Sequence, residues 1–195
     1  MTAVAKKKLT PQEYLDQERQ APFKSEYYRG EVFAMSGASY EHNRIKDNLA
    51  RAAGNRLEGG PCEVLTSDMR VKVNATGLYT YPDMTILCGK PQLEDAHGDT
   101  LVNPRVIVEI LSDTTEKYDR RTKFAQYRRI PSLQEYVLIA QDEPLIERYV
   151  RQPDETWVVR IFGDIADTFE FATVAAKIPL SEIYFNVQFD KDEEQ

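Results

Sequence analysis

Three side chains stand where they could do chemistry together: Asp83 in "YPDMTILC", Glu109 in "VIVEILSD" and Lys123 in "TTEKYDRRTKFAQYRR". Two carboxylates brought to one point offer hard oxygen ligands, the kind that suit Mg²⁺ or Mn²⁺. An ammonium beside them could stabilise charge that develops on a phosphate, or help deprotonate an attacking water. Glu109 is the most informative of the three. It sits inside an almost continuous apolar run, and an unpaired carboxylate there would cost several kcal/mol or take up a proton. It therefore needs a cationic partner, a metal or an opening to water. A structural ion pair and a metal site both meet that need.

Strand alternation sorts the neighbours. Asp83 shares a face with Thr85 and Leu87, and Glu109 shares one with Ile107 and Leu111. Val106, Val108 and Ile110 point the other way, so the strand around Glu109 is apolar on both faces and should be central and covered. A lysine two residues after Glu109 would share its face, but Leu111 occupies that place. The following helix offers another source. From Glu109 to Asp113, a candidate N-cap, the strand advances about 13 Å at ~3.3 Å per residue. From Asp113 to Lys123 a helix climbs about 15 Å at ~1.5 Å per residue. A helix that folds back along its strand brings Lys123 level with Glu109, with Asp119 one turn before it and Tyr127 one turn after it on the same face.

These residues need a frame. "LTPQEYLDQERQ" has the marks of a helix start: Thr10 as N-cap, Pro11 at the first helical position and Glu13 closing a capping box. "KSEYY" and "EVFAM" read as a hairpin turning at Arg29-Gly30. A long helix should run from about Ser39 to Leu57, with His42, Ile45, Leu49, Ala53 and Arg56 on one side. "CEVLTSDMRVKV", "YPDMTILC" and "RVIVEIL" read as strands. "LQEYVLIA", "LIERYVR" and "TWVVRIF" read as a meander, and "FATVAAKIPLSEIYF" as a final strand and short turn. The run "VIVEIL", helix, "LQEYVLIA" has the form of a βαβ unit. The expected fold is α/β, one domain over residues 9–189 with a central mixed sheet flanked by helices and loose ends at 1–8 and 190–195.

The bulk numbers set limits. With 195 residues, 42% hydrophobic and 29% charged, the chain is long enough for a proper core. No stretch approaches the ~20 apolar residues of a membrane span, and "MTAVAKKKLT" lacks the apolar block of a secretory signal. Cys62 and Cys88 make no C-x-x-C pair, and with only two histidines a zinc site is not expected. A reducing cytoplasm is the expected location. A net charge of −7 argues against an unselective nucleic-acid binder. The segment from Lys117 to Arg129 is nevertheless locally basic: Lys117, Arg120, Arg121, Lys123, Arg128 and Arg129 stand against Asp119 alone. It could track phosphates or form a solvated helix face.

The pattern Pro82-Asp83, then Glu109 in an apolar strand, resembles the PD-(D/E)XK nuclease superfamily. The stretches "SEYYRGEVFAMSG", "HNRI", "YPDMTIL", "VIVEILSDTTEKYDRRTKFAQY" and "SLQEYVLI" resemble, more specifically, a bacterial restriction-endonuclease-like family of unknown function, over residues 9 to about 150. The resemblance implies a restriction-endonuclease-like fold and hydrolysis of DNA phosphodiesters with Mg²⁺ or Mn²⁺. It makes Asp83 and Glu109 metal ligands and Lys123 a catalytic lysine displaced from strand to helix. Tyr127 resembles the tyrosine of a Q-x-x-x-Y helix element, with lysine in the glutamine position. An early acid and a histidine of the family fall on Glu31 and His42, with Glu26 the weaker candidate for the acid. Lys117, Arg120 and Arg121 would face DNA, and exposed strand edges suggest a homodimer. The rival reading is an inactive descendant of that fold that binds nucleic acid or a protein partner, with Glu109 and Lys123 as a structural ion pair. No G-x-S-x-G, Walker or dinucleotide glycine motif points to another chemistry.

Overall fold

A computed structural model of the chain describes residues 8–112 and 115–189. Of the loose ends expected at 1–8 and 190–195, residues 1–7 and 190–195 lie outside the described residues, as does the proposed cap Asp113. Lys8 is described, and its side chain lies against the turn at Gly30.

Helix α1 (Pro11–Glu18) starts with the full capping box of Thr10 and Glu13. Strands β1 (Ser25–Tyr28) and β2 (Glu31–Ala34) form the expected hairpin. Its turn places both Arg29 and Gly30 at positive φ, the conformation that a tight two-residue hairpin turn requires. Helix α2 (Tyr40–Leu57) begins where Ser39 accepts a hydrogen bond from the His42 N–H. Next come β3 (Cys62–Thr66), β4 (Arg70–Val73), β5 (Leu78–Thr80), β6 (Met84–Cys88), β7 (Thr100–Leu101) and β8 (Val106–Ile110). A π-helical turn, Tyr118–Lys123, runs on into α3 (Phe124–Tyr127). The chain continues through β9 (Glu135–Ile139), β10 (Ile146–Arg151), β11 (Trp157–Phe162), β12 (Thr168–Phe171), β13 (Ala176–Pro179) and α4 (Leu180–Ile183).

The strands make two main sheets and one small hairpin. The first sheet has the order β2-β1-β5-β4-β7, the second β11-β10-β9-β8-β6-β3, and β12 pairs only with β13. The second sheet is the expected mixed one. Its parallel pair β8–β9 is the strand pair of the βαβ unit, and β9, β10 and β11 form the meander. Two features differ from expectation. "CEVLTSDMRVKV" does not act as one unit: β3 joins the second sheet and β4 the first. The closing segment is a hairpin rather than a single strand, because Phe169, Phe171 and Ile178 all turn inward.

Three apolar clusters stack these layers. α1 covers the outer face of the first sheet through Tyr14, Leu15, Tyr27 and Tyr79. Val71, Val73 and Leu78 of the first sheet pack with Tyr127, Ile130, Ile107 and Leu138 to fill the seam between the sheets. On the far side of the second sheet, Ile45, Leu49 and Ala53 of α2 meet Val106, Val108, Ile110 and the terminal hairpin. The strand around Glu109 is thus covered on both faces, as its apolar pattern requires.

One end of the first sheet is fastened by charge. Arg19, which ends α1, meets Asp95 and Asp99 at 2.7 Å. Arg70, only 2% exposed, bonds Thr100 and Tyr81 and pairs with Asp99. Tyr81 in turn donates to Glu18. Each arginine pairs with an aspartate, and Glu18 is held by the neutral donors Tyr81 and Ser25. Cys62 and Cys88, directly opposite each other in the β3–β6 ladder, are joined in a disulfide. Their separation along the chain hides that pairing from a sequence reading. Among the described residues no helix is long and apolar enough to cross a membrane.

Candidate active site

Strand register sets the site. β6 and β8 are antiparallel with Met84 opposite Val108 and Thr85 opposite Ile107. Continued by one residue, that register puts Asp83 opposite Glu109. Pro82 precedes it, where no ladder hydrogen bond is needed. Asp83 Oδ2 accepts the Ile110 N–H at 2.8 Å and lies 3.2 Å from His42 Nε2. The Ser39 cap fixes His42 in the first turn of α2, and His42 Nδ1 is buried without a hydrogen-bond partner. Oδ1 of Asp83 receives no hydrogen bond from the described residues.

Glu109 is 3% exposed. Its Oε1 accepts from the Tyr127 hydroxyl at 2.7 Å and from Lys123 Nζ at 3.1 Å. Lys123 therefore reaches Glu109 from the helix, as the rise arithmetic anticipates. It is not the surface lysine that i, i+4 pairing with Asp119 alone would make it. It is buried, and its amine lies 3.2 Å from Asp119 and 3.3 Å from Glu26 as well as close to Glu109. The helix reaches this geometry through a π turn, which is commonest at functional sites. The Tyr136 hydroxyl holds the turn by donating to the Asp119 carbonyl.

Of the two candidates for the early acid, Glu26 lies in the cluster and Glu31 does not. Glu26 points inward from β1, is 8% exposed, and accepts from Thr80 while pairing with Lys123. Glu31 stands exposed at the hairpin turn, outside the cluster. Strand alternation on "SEYY" separates Ser25 and Tyr27 from Glu26 and Tyr28, but which face meets the helix depends on the packing of two sheets. Thr80, which bridges Glu26 and Tyr127, carries no sequence signal. Asp119 shows as a helix partner in the sequence, but its burial does not.

One ammonium faces three carboxylates, and the electrostatics follow. Burial pushes the Glu109 carboxyl well above the ordinary carboxylate range; Lys123 pulls against that, while Asp119 and Asp83 add to it. Burial likewise raises Asp119. Burial alone would lower Lys123, but Glu109, Glu26 and Asp119 together hold its pKa well above the usual lysine value. Those carboxylates favour the charged form of Lys123. Burial and the neighbouring Glu109 keep the Tyr127 hydroxyl protonated, so it remains a donor.

The basic helix divides. Lys117 and Arg121 are exposed, whereas Arg120 spends its guanidinium on Glu116 and Glu147, which tie the helix to β10. Among the described residues no group of three or more His, Cys, Asp and Glu forms a ready cage for a metal. A divalent cation here would rest on the Asp83–Glu109 pair and on water. Mg²⁺ is usually bound in that way, through one or two carboxylates. The surplus of buried acid over Lys123 fits an added cation.

Comparison with known proteins places this arrangement in a class. The chain superposes on the crystal structure of a "putative nuclease belonging to DUF820" from Anabaena variabilis with a TM-score of 0.73, covering 90% of this chain and 97% of that one at 16% identity. The two share one mixed α/β fold. Two uncharacterized Synechocystis proteins are close in sequence. One, sll1609, is 36% identical over 168 residues, 86% of this chain and 95% of the relative. The other, slr1290, is 33% identical over 182 residues, 93% of this chain and 94% of the relative. The chain belongs to the Uma2 family, described as "Putative restriction endonuclease", whose model matches residues 11–175.

Proposed function

We propose that this protein is a divalent-metal-dependent endonuclease that hydrolyses DNA phosphodiester bonds. The observation that carries the reading is Asp83 set opposite Glu109, beside a buried cluster with more acid than Lys123 neutralises. Asp83 and Glu109 would hold Mg²⁺ or Mn²⁺, which supplies positive charge to phosphate oxygens and acidifies water. The remaining groups prepare those two ligands. Tyr127 and Lys123 occupy Glu109 Oε1, which leaves Oε2 for a cation. The Ile110 N–H and His42 occupy Asp83 Oδ2 and leave Oδ1. Lys123, held protonated, sets a fixed positive charge where negative charge grows on the phosphate in the transition state.

One observation favours the inactive-descendant reading: the Lys123 amine is already close to three carboxylates. Purified protein incubated with plasmid and Mg²⁺ or Mn²⁺ separates the two. Wild type should nick or cut, and Asp83→Ala and Glu109→Ala should not. Equal residual cleavage by all three would mark the activity as contamination and end the nuclease proposal.

A further inference from the structure

The site has an aromatic rim that its proposed chemistry does not use. Glu26 is the middle of a row across the first sheet. It lies directly opposite Phe33 on β2, and one step along from the Tyr27–Tyr79 pair the register sets it opposite Thr80 on β5. Directly opposite residues share a sheet face. That face turns towards the helix, because Thr80 touches the Tyr127 hydroxyl and Glu26 reaches Lys123. Phe33, at the outer end of the row, is nevertheless 49% exposed. Across from it, the Tyr118 ring lies 5.7 Å from Lys123 Nζ and is 38% exposed. Two exposed rings, one from each wall of the seam, thus border the Glu26–Lys123 pair. Lys117 and Arg121 stand exposed on the same helical segment as Tyr118.

Rings beside cations at the mouth of an acidic site match one ligand chemistry, a base-bearing polyanion whose bases are free to stack. Duplex DNA keeps its base faces covered. A single strand offers them, and it stacks on aromatic side chains while cations follow its phosphates. The net charge of −7 works against an unselective grip on a duplex. Resting on the nuclease reading above, we infer that Tyr118 and Phe33 form a stacking platform that selects unpaired nucleotides, so that the preferred substrate is single-stranded or locally melted DNA.

Fluorescence anisotropy tests this with Ca²⁺ in place of Mg²⁺, using fluorescein-labelled oligothymidine, oligouridine and a duplex of equal length. Oligothymidine should bind more tightly than the duplex. Tyr118→Ala and Phe33→Ala should each weaken it roughly tenfold, as expected for loss of one stacked base, while Tyr118→Phe keeps wild-type affinity. Phe33→Trp places a reporter at an exposed position that tolerates exchange, and oligothymidine should quench its fluorescence. Tighter binding of oligouridine than of oligothymidine would overturn the choice of DNA. Equal binding of duplex and single strand, or alanine variants with unchanged affinity and no quench in Phe33→Trp, would overturn the platform. So would a Phe33→Ala variant that turns a dimer into a monomer without altering affinity, since the patch would then belong to a second copy. Oligonucleotide binding without metal-dependent cleavage would instead defeat the nuclease reading alone.

Discussion

The molecule holds two charge clusters, and they are built on opposite principles. At the end of α1, Arg19 and Arg70 meet Asp95 and Asp99, and each of these charges finds its opposite. Hydrogen bonding to Arg19, helped by Arg70 and despite partial burial, holds the Asp99 carboxyl far below its ordinary range. In the seam between the sheets, Lys123 alone serves Glu26, Glu109 and Asp119, with Asp83 close by, and there the carboxyls rise. The first cluster is complete and fastens the fold. The second is left short of positive charge. That contrast in charge balance separates glue from a site.

The sharpest way to break the contrast is Glu109→Gln. If Glu109 is a ligand, metal-dependent cleavage should fall at least about a hundredfold. Because a buried surplus charge is removed, the metal-free protein should melt no lower than wild type at neutral pH. A lower melting temperature together with intact cleavage would return Glu109 to a purely structural role. The complementary change is Arg70→Ala in the balanced cluster. It strands buried partners and should destabilise by roughly 3–5 kcal/mol, with the specific activity of the folded fraction unchanged. Chemical denaturation read beside cleavage checks both halves.

The clusters should also respond to pH with opposite sign. Glu109 and Asp119 bind protons more tightly folded than unfolded. Their contribution to stability is complete below the ordinary carboxylate range and fades as pH rises through their raised values. Asp99 is depressed, so its contribution is complete above that range and fades as pH falls through its lowered value. The metal-free wild type should therefore lose melting temperature between about pH 5 and 8, and Glu109→Gln should flatten that slope. Asp99→Asn should flatten the acid limb instead. Since ligands must shed protons to bind metal, saturating Mn²⁺ at 100 times its dissociation constant should stabilise by about 2.7 kcal/mol at the alkaline end and by less at the acid end. A wild-type slope that survives Glu109→Gln unaltered would remove the proposed surplus charge. The smallest effect concerns the rim. Ser39→Ala removes the cap of α2 that fixes His42 and should cost about 1 kcal/mol, with a modest loss of cleavage that the balanced cluster does not share.

Much of this site can be read from local pattern. The apolar run around Glu109, the Pro-Asp strand start and the distance along strand and helix to Lys123 each follow from one element or two adjacent ones. The capping box at Thr10 and the Arg29-Gly30 turn are equally local. Glu26, Thr80 and the burial of Asp119 are not, because each arises where the first sheet packs on the helix, and no periodicity encodes that contact. Glu26 and Glu31 sit on neighbouring strands and the register puts both on one face of the hairpin, so only position along it, with Glu31 at the turn, separates them. The π turn is hidden for a related reason: "YDRRTK" has ordinary helical composition, and its widening is held by Tyr136 on a distant strand. The disulfide needs the register of β3 against β6, which neither cysteine announces.

That bond has a topological consequence. The chain between Cys62 and Cys88 leaves the second sheet, contributes β4 and β5 to the first, and returns. The covalent ring it closes passes through both layers and contains Asp83 and Thr80. An oxidised chain therefore keeps the two layers tethered even when unfolded. By the chain-entropy model, a ring of this size removes roughly 3.5 kcal/mol of denatured-state freedom. The bond itself lies within the second sheet, on its α2 side, and the oxidised chain begins each refolding with the start of β3 already joined to the end of β6.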